Sequence, residues 1–178
     1  MTSKPVIIEE YNEKWQIMFG ELKDIIAQHL GDLPLSIEHV GSTAVPGLPA
    51  KPIIDMDIVI PSVNLLSQVI DKLSELGYWH EGDLGLPGRE AFARNDNRVP
   101  YDAGMNEKMT HHLYVCSKGS VPLNEHLMFR DILRKHPALV KDYADLKMQL
   151  AEQFKYDRAA YTEAKTSFIR SVLSNGRS

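Results

Sequence analysis

Trp15, Met18, Leu22, Ile25, Ile26 and His29 recur at three- and four-residue spacing, which predicts a helix over about 12–29 with one buried stripe. Asn12 suits its N-cap and Gly31 its stop. Before it, Val6-Ile7-Ile8 reads as a short edge strand or an extended lead-in. A short strand over 35–40 ends in Gly41-Ser42-Thr43, and Pro46, Gly47, Pro49 and Pro52 make 44–52 a loop. The β-branched run 53–60 reads as a buried strand. Val63, Leu66, Val69, Ile70 and Leu73 predict a helix over 63–76 that stops at Gly77. Residues 78–80 and 89–94 read as strands joined by a glycine-rich turn, 95–109 as an irregular loop and 110–116 as the last strand. From Pro122 the pattern is helical. One helix is marked by Leu123, Leu127, Ile132 and Leu133 and ends at Pro137. A second is marked by Leu139, Tyr143, Leu146, Leu150 and Phe154. A third is marked by Tyr161, Ala164, Phe168 and Val172, with Asp157 as N-cap. The sum is an α+β (mixed α/β) fold, a small mixed sheet with flanking helices and a helical C-terminal third from about residue 120, in one domain over 1–178.

Composition narrows the function classes. The 178 residues, 43% apolar and 25% charged, are ordinary for a globular chain and can bury a sizeable core. No apolar run approaches the ~20 residues of a membrane span. Met1-Thr2-Ser3-Lys4-Pro5 lacks the apolar core of a signal peptide, and one cysteine, Cys116, excludes an internal disulfide. The cytoplasm is therefore the expected compartment. A net charge of −4 with both signs scattered argues against nucleic acid as a partner.

The chemistry gathers at Asp55-Met56-Asp57. On a strand, Asp55 and Asp57 project to one face while Met56 and Ile58 point to the other. At ~6 Å and an effective dielectric of ~20, two carboxylates repel by roughly 2–3 kcal/mol. A divalent cation, a nearby Lys or Arg, or a shared proton would offset this; Lys51, four residues before Asp55, is one candidate. Hard oxygen pairs suit Mg²⁺ or Mn²⁺, with phosphates and waters completing the shell. Upstream, Gly41 lets the backbone approach a ligand, and the Ser42 and Thr43 hydroxyls and nearby N–H groups form a candidate phosphate cradle.

Val40-Gly41-Ser42, twelve residues, then Asp55-Met56-Asp57-Ile58 resembles the signature of the polymerase-β-like nucleotidyltransferases. More closely, Glu38-His39-Val40-Gly41-Ser42-Thr43-Ala44-Val45-Pro46-Gly47-Leu48 with Lys51-Pro52-Ile53-Ile54-Asp55 resembles the GrpB family. So do Tyr11 with Trp15, His111-His112-Leu113-Tyr114-Val115, Phe129-Arg130-Asp131 with Leu133-Arg134, and Tyr161 with Lys165 and Phe168-Ile169. The resemblance implies a nucleotidyltransferase-like core with added C-terminal helices. It also implies a nucleoside triphosphate as substrate, Asp55 and Asp57 as catalytic ligands of Mg²⁺ or Mn²⁺, and Gly41, Ser42, Thr43 and Lys51 on the phosphates; the acceptor is not indicated. Active members of the superfamily carry a third carboxylate on a later strand. The strand over 110–116 has none and offers His111 and His112, of which His112, on the face shared with Tyr114, is the candidate catalytic residue. Imidazole is a poor Mg²⁺ ligand. The metal is then Mn²⁺-like or Zn²⁺-like, or the chemistry differs, or the chain is a non-catalytic nucleotide-, phosphate- or partner-binding accessory module.

The remaining candidates read blandly. His39 suits a hydrogen-bonded strand end, His80-Glu81-Gly82-Asp83 a solvated turn, and Cys116 a small apolar core residue. Arg130, Asp131 and Arg134 read as a helix-surface charge network. Tyr161 reads as packing and Lys165, four residues on, as solvated.

Overall fold

A computed structural model describes residues 3–176, so Met1 and Thr2 and the last two residues lie outside the description. Helix α1 (Lys14–Leu30) starts two residues later than its pattern implies, because the Asn12 side chain accepts the Lys14 N–H at 2.9 Å in a turn before the first helical residue. Gly31 ends it at φ +63°, donating its N–H to the Ala27 carbonyl. Residues 6–8 are an extended lead-in; the one nearby bridge joins Glu9 to Ala50.

Strands β1 (Ser36–Val40), β2 (Ile54–Ile60), β3 (Tyr78–Gly82), β4 (Arg89–Arg94) and β5 (His111–Ser117) form one sheet in the order β1-β2-β5-β4-β3. Only β2 and β5 run parallel; the other neighbours are antiparallel. This is the expected α+β arrangement. Ile54, Met56, Ile58 and Ile60 of β2, with Leu113 and Val115 of β5, pack against α1 and against α2 (Leu66–Glu75). The helix expected over 63–76 begins as a 3₁₀ turn at Val63–Leu65, capped by the Ser62 hydroxyl.

The other sheet face receives the C-terminal helices: α3 (Val121–Lys135), α4 (Pro137–Gln153), α5 (Arg158–Ala164) and α6 (Thr166–Asn175). Proline opens both α3 and α4, and Asp157 accepts the Ala160 N–H to cap α5. The single third helix expected from Asp157 breaks at Lys165 into α5 and α6. The Pro/Gly loop after β1 is not a surface excursion. Its Val45 and Leu48 are buried with Leu133 and Tyr143 in a second core, which fixes the loop against α3 and α4. Among the described residues, no helix is long and apolar enough to cross a membrane.

Candidate active site

Asp55 and Asp57 stand together on the β2 face opposite the main core, as alternation requires. The parallel register sets His112 beside Asp55 and Tyr114 beside Asp57. His112 Nδ1–H donates to Asp55 Oδ1 at 2.9 Å. From α3, His126 Nδ1–H donates to Asp57 Oδ2 at 2.6 Å. Asp57 is fully buried, and its second oxygen, Oδ1, has no hydrogen-bond partner. Burial drives the His126 pKa down, but the bond to Asp57 and its charge outweigh that and hold it above the usual imidazole value. The Asp57 charge is thus met by His126, while His112 supplies a hydrogen bond to Asp55. Lys51 makes no ion pair with either carboxylate among the described residues and acts on Asp55 only through its charge at longer range.

The loop after β1 lies directly over Asp55. Gly41 has φ +73°, and a Cβ there would overlap Asp55 Oδ2 and approach Asp55 Cβ and Cγ to 3.1 Å. Only glycine meets both conditions. Ser42 lines the cavity beside Asp55. Thr43 does not: it is buried, and its hydroxyl faces His39 Nε2 at 2.9 Å and the Ile53 carbonyl at 3.4 Å. Its expected side-chain contact with phosphate gives way to a part in holding the loop. His39 is the hydrogen-bonded strand-end histidine expected, also bonded to Gln16, with burial lowering its pKa to about 4. Arg130 donates to Glu38 Oε2 and to the His39 carbonyl, and Arg134 donates to the Ala44 carbonyl. The expected surface network is therefore a clamp from α3 onto the loop.

Beside the carboxylates opens a cavity of about 270 Å³, lined by Ser42, Lys51, Asp55, His112, Tyr114, Lys147, Arg158, Tyr161 and Lys165 among others. Lys147 is 2% exposed, its ammonium 4.9 Å from the Tyr143 ring centre. Burial first, then Lys165 and Lys51, bring its pKa down to about 7, against the pull of Asp55. Burial and Lys51 likewise bring Lys165 to about 8, so the expected solvated lysine is a cavity wall. Lys51 is lowered by burial and by Arg158. The Tyr161 ring lies 5.1 Å from the Lys51 ammonium and 4.5 Å from that of Lys165, and its buried hydroxyl has no partner.

His111 points into the core, donating from Nδ1 to the Met109 carbonyl and accepting the Tyr78 hydroxyl proton at Nε2. It takes no part in the site. Cys116 is buried on β5, its thiol pushed up to about 12 by burial. Sequence reasoning missed His126, Lys147 and Arg158. For the first two a signal existed: His126 falls on the Leu123–Phe129–Leu133 stripe and Lys147 on the Tyr143–Leu150 stripe. A polar side chain on a buried stripe needs a buried partner.

The family model described as GrpB protein matches residues 5–175. The chain belongs to the GrpB family. It is 32% identical over 170 residues to the glutamate-rich protein GrpB of Alkalihalophilus pseudofirmus, covering 95% of this chain and 94% of that one. It is 36% identical over 167 residues to the UPF0157 protein YqkA of Bacillus subtilis, covering 94% of this chain but only 46% of that longer one. The crystal structure of the conserved protein GrpB from Enterococcus faecalis superposes with a TM-score of 0.80 at 30% identity, over 96% of each chain.

In this GrpB chain the donors suit one kind of cation. Asp57 offers the orphaned Oδ1, and Asp55 keeps Oδ2 free of any protein hydrogen bond among the described residues. Two carboxylate oxygens on one strand face, with Asp55 at the wall of a cavity rich in cationic side chains, fit Mg²⁺ or Mn²⁺, which take most of their shell from phosphate and water. They do not fit a closed protein cage, since no group of three or more His, Cys, Asp or Glu among the described residues could hold a metal.

Proposed function

We propose that this GrpB chain is a metal-dependent nucleotidyltransferase acting on a nucleoside triphosphate and an acceptor hydroxyl. One observation carries the reading. Two carboxylates share one face of β2, each held through one oxygen by a histidine, and the first of them, Asp55, lines a cavity with four cationic side chains. Asp55 and Asp57 would hold Mg²⁺ or Mn²⁺, which neutralises charge on the phosphates and orients the attacking hydroxyl. Ser42, Lys51, Lys147, Arg158 and Lys165 would bind the phosphate chain, and Gly41 leaves the backbone close enough to meet it. The acceptor oxygen attacks the α-phosphorus, the bond to the bridging oxygen breaks, and pyrophosphate leaves with its electron pair. His112 donates from Nδ1 to Asp55, which leaves Nε2 as an acceptor on a half-exposed ring. That nitrogen would take the acceptor's proton.

A second reading, binding without turnover, draws on β5. That strand offers His112 and Tyr114 on the site face where a third carboxylate would complete the superfamily pattern. Thermal melting with Mg²⁺ or Mn²⁺ and each nucleoside triphosphate separates the readings from a chain with no ligand. A metal-dependent stabilisation by a triphosphate, about 2.7 kcal/mol at a hundred times Kd and lost in Asp57→Asn, supports the site. No shift in any combination would overturn it. Release of pyrophosphate in the presence of candidate acceptors then divides enzyme from binding module.

A further inference from the structure

We propose that the lysine cavity is an oligophosphate site in its own right, which takes the end of a phosphate chain without a divalent cation. It rests on the triphosphate reading only for what lies at the far end of that chain. The observations belong to the cavity, not to the carboxylate pair.

Lys147 comes from α4, Lys51 from the loop before β2, Arg158 from the start of α5 and Lys165 from the α5–α6 junction. Four separate segments therefore bring cations to one space, and a single carboxylate, Asp55, lines it with them. No carboxylate forms an ion pair with Lys147, Lys51 or Lys165 among the described residues. Lys147 is 2% exposed, and the buried Tyr161 hydroxyl beside it in the cavity is a donor with nothing to bond. A buried donor left open in this way costs stability unless a ligand meets it. The ligand must be anionic, rich in acceptors and multiply charged. About 270 Å³ lies below the roughly 300–1,000 Å³ of pockets that enclose drug-sized molecules, so the space suits a short phosphate chain or the tail of a larger ligand.

The proton follows from the crowding. The groups facing Lys147 are Lys165, Lys51, Asp55, Tyr161 and, on its own helix, Tyr143. Without an anion, burial and the two lysines disfavour its charged form, and near pH 8 the amine is mostly neutral. A polyanion reverses that balance and draws a proton from solvent onto Nζ.

The test is isothermal titration in EDTA at pH 8 and pH 6, each in two buffers of different ionisation enthalpy. The probes are orthophosphate, pyrophosphate, tripolyphosphate and ATP. Tripolyphosphate should bind without metal, more tightly than orthophosphate, with net proton uptake at pH 8 that shrinks at pH 6. Lys147→Met should weaken it at least tenfold and cut the uptake to the smaller share that Lys165, itself near 8, contributes. Lys147→Arg, which keeps the charge but cannot titrate, should retain binding with the same reduced uptake; thermal melts confirm that both variants are folded. ATP binding tighter than tripolyphosphate identifies the ligand as a nucleotide tail, and equal binding identifies free oligophosphate; both support the site. No binding by any probe in EDTA, or the same proton uptake in wild type and Lys147→Met, overturns it. Binding that appears only with metal overturns this inference while leaving the nucleotidyl reading intact. Tripolyphosphate binding in EDTA beside unchanged metal affinity in Asp57→Asn does the reverse.

Discussion

Replacing the most deeply buried cation should make the protein more stable. In Lys147→Met the apolar stem is conserved in length and the ammonium is removed from a site where it is 2% exposed and faces Lys165 and Lys51. Moving its pKa from 10.5 to about 7 on folding carries, at 1.36 kcal/mol per pH unit, an upper limit of about 5 kcal/mol against the native state. Loss of the contact with the Tyr143 ring, at 4.9 Å, returns about 1 kcal/mol of that. The net gain at pH 6 is a few kcal/mol, or roughly 5–10 °C in melting temperature for a chain of this size. The size of the gain changes with pH in a defined way. Between pH 7 and 10.5 the unfolded lysine holds a proton that the folded one has released, so wild-type stability rises with pH across that window. The advantage of Lys147→Met should therefore be full below pH 7, about half by pH 9, and gone above pH 10.5. Denaturant melts of both proteins at pH 6 and pH 9, in phosphate-free buffer, measure it. A variant less stable than wild type at pH 6, or a difference equal at the two pH values, would show that the ammonium is already satisfied in the free protein.

The other predictions concern the carboxylates and the loop. Gly41→Ala forces a Cβ into Asp55 at φ +73° and should cost about 2–4 kcal/mol while abolishing divalent-cation binding, read by Mn²⁺ titration and thermal melts. His126→Ala leaves the fully buried Asp57 carboxylate without a donor and should cost about 2–4 kcal/mol; His126→Asn, which keeps an N–H near the same place, should recover much of it. Because the folded pKa of His126 is raised, its contribution is present in full below pH 6.5 and lost as pH climbs through the folded value, so the deficit of His126→Asn should be larger at pH 5.5 than at pH 9. Arg134→Met removes the donor to the Ala44 carbonyl and should weaken triphosphate binding severalfold with little change in cation affinity; equal loss of both would place Arg134 in the general stability of the fold.

The parts legible in the sequence are those where one strand or helix decides. Alternation alone puts Asp55 and Asp57 on one face, and the register of β5 then makes His112, not His111, their neighbour. Proline and Asp157 mark the C-terminal helices at the positions where they begin. What was not legible is pairing across elements. Nothing local to Asp57 announces a histidine 69 residues later, and nothing local to Arg134 announces a carbonyl 90 residues earlier. The break at Lys165 escaped because Ala164, Thr166 and Phe168 continue the helical pattern through it, while the break carries Lys165 toward the cavity. The Pro/Gly loop misled in a different way. Its composition signals a turn, but its Val45 and Leu48 are core residues, and that anchoring keeps Gly41 and Ser42 in place over Asp55.

The site holds its opposite charges near one another without joining them. Asp55 is close enough to raise the pKa values of Lys147, Lys165 and Lys51, yet it bonds none of them and is tied to His112. Asp57 is tied to His126 and leaves Oδ1 open, while in the cavity the Tyr161 hydroxyl has no partner and the Lys147 ammonium meets the Tyr143 ring rather than a carboxylate. Direct lysine–aspartate pairs would offset both costs within the protein. Interposing histidines keeps both costs in place, so the free protein has open carboxylate oxygens on β2 and cationic and hydroxyl donors in the cavity that Asp55 lines. A ligand of a single sign meets half of that demand. A cation carried on a phosphate chain would meet both halves at once. Divalent cation and tripolyphosphate should therefore bind more tightly together than the product of their separate affinities, and independent binding would show that the carboxylate pair and the cavity are two unrelated sites.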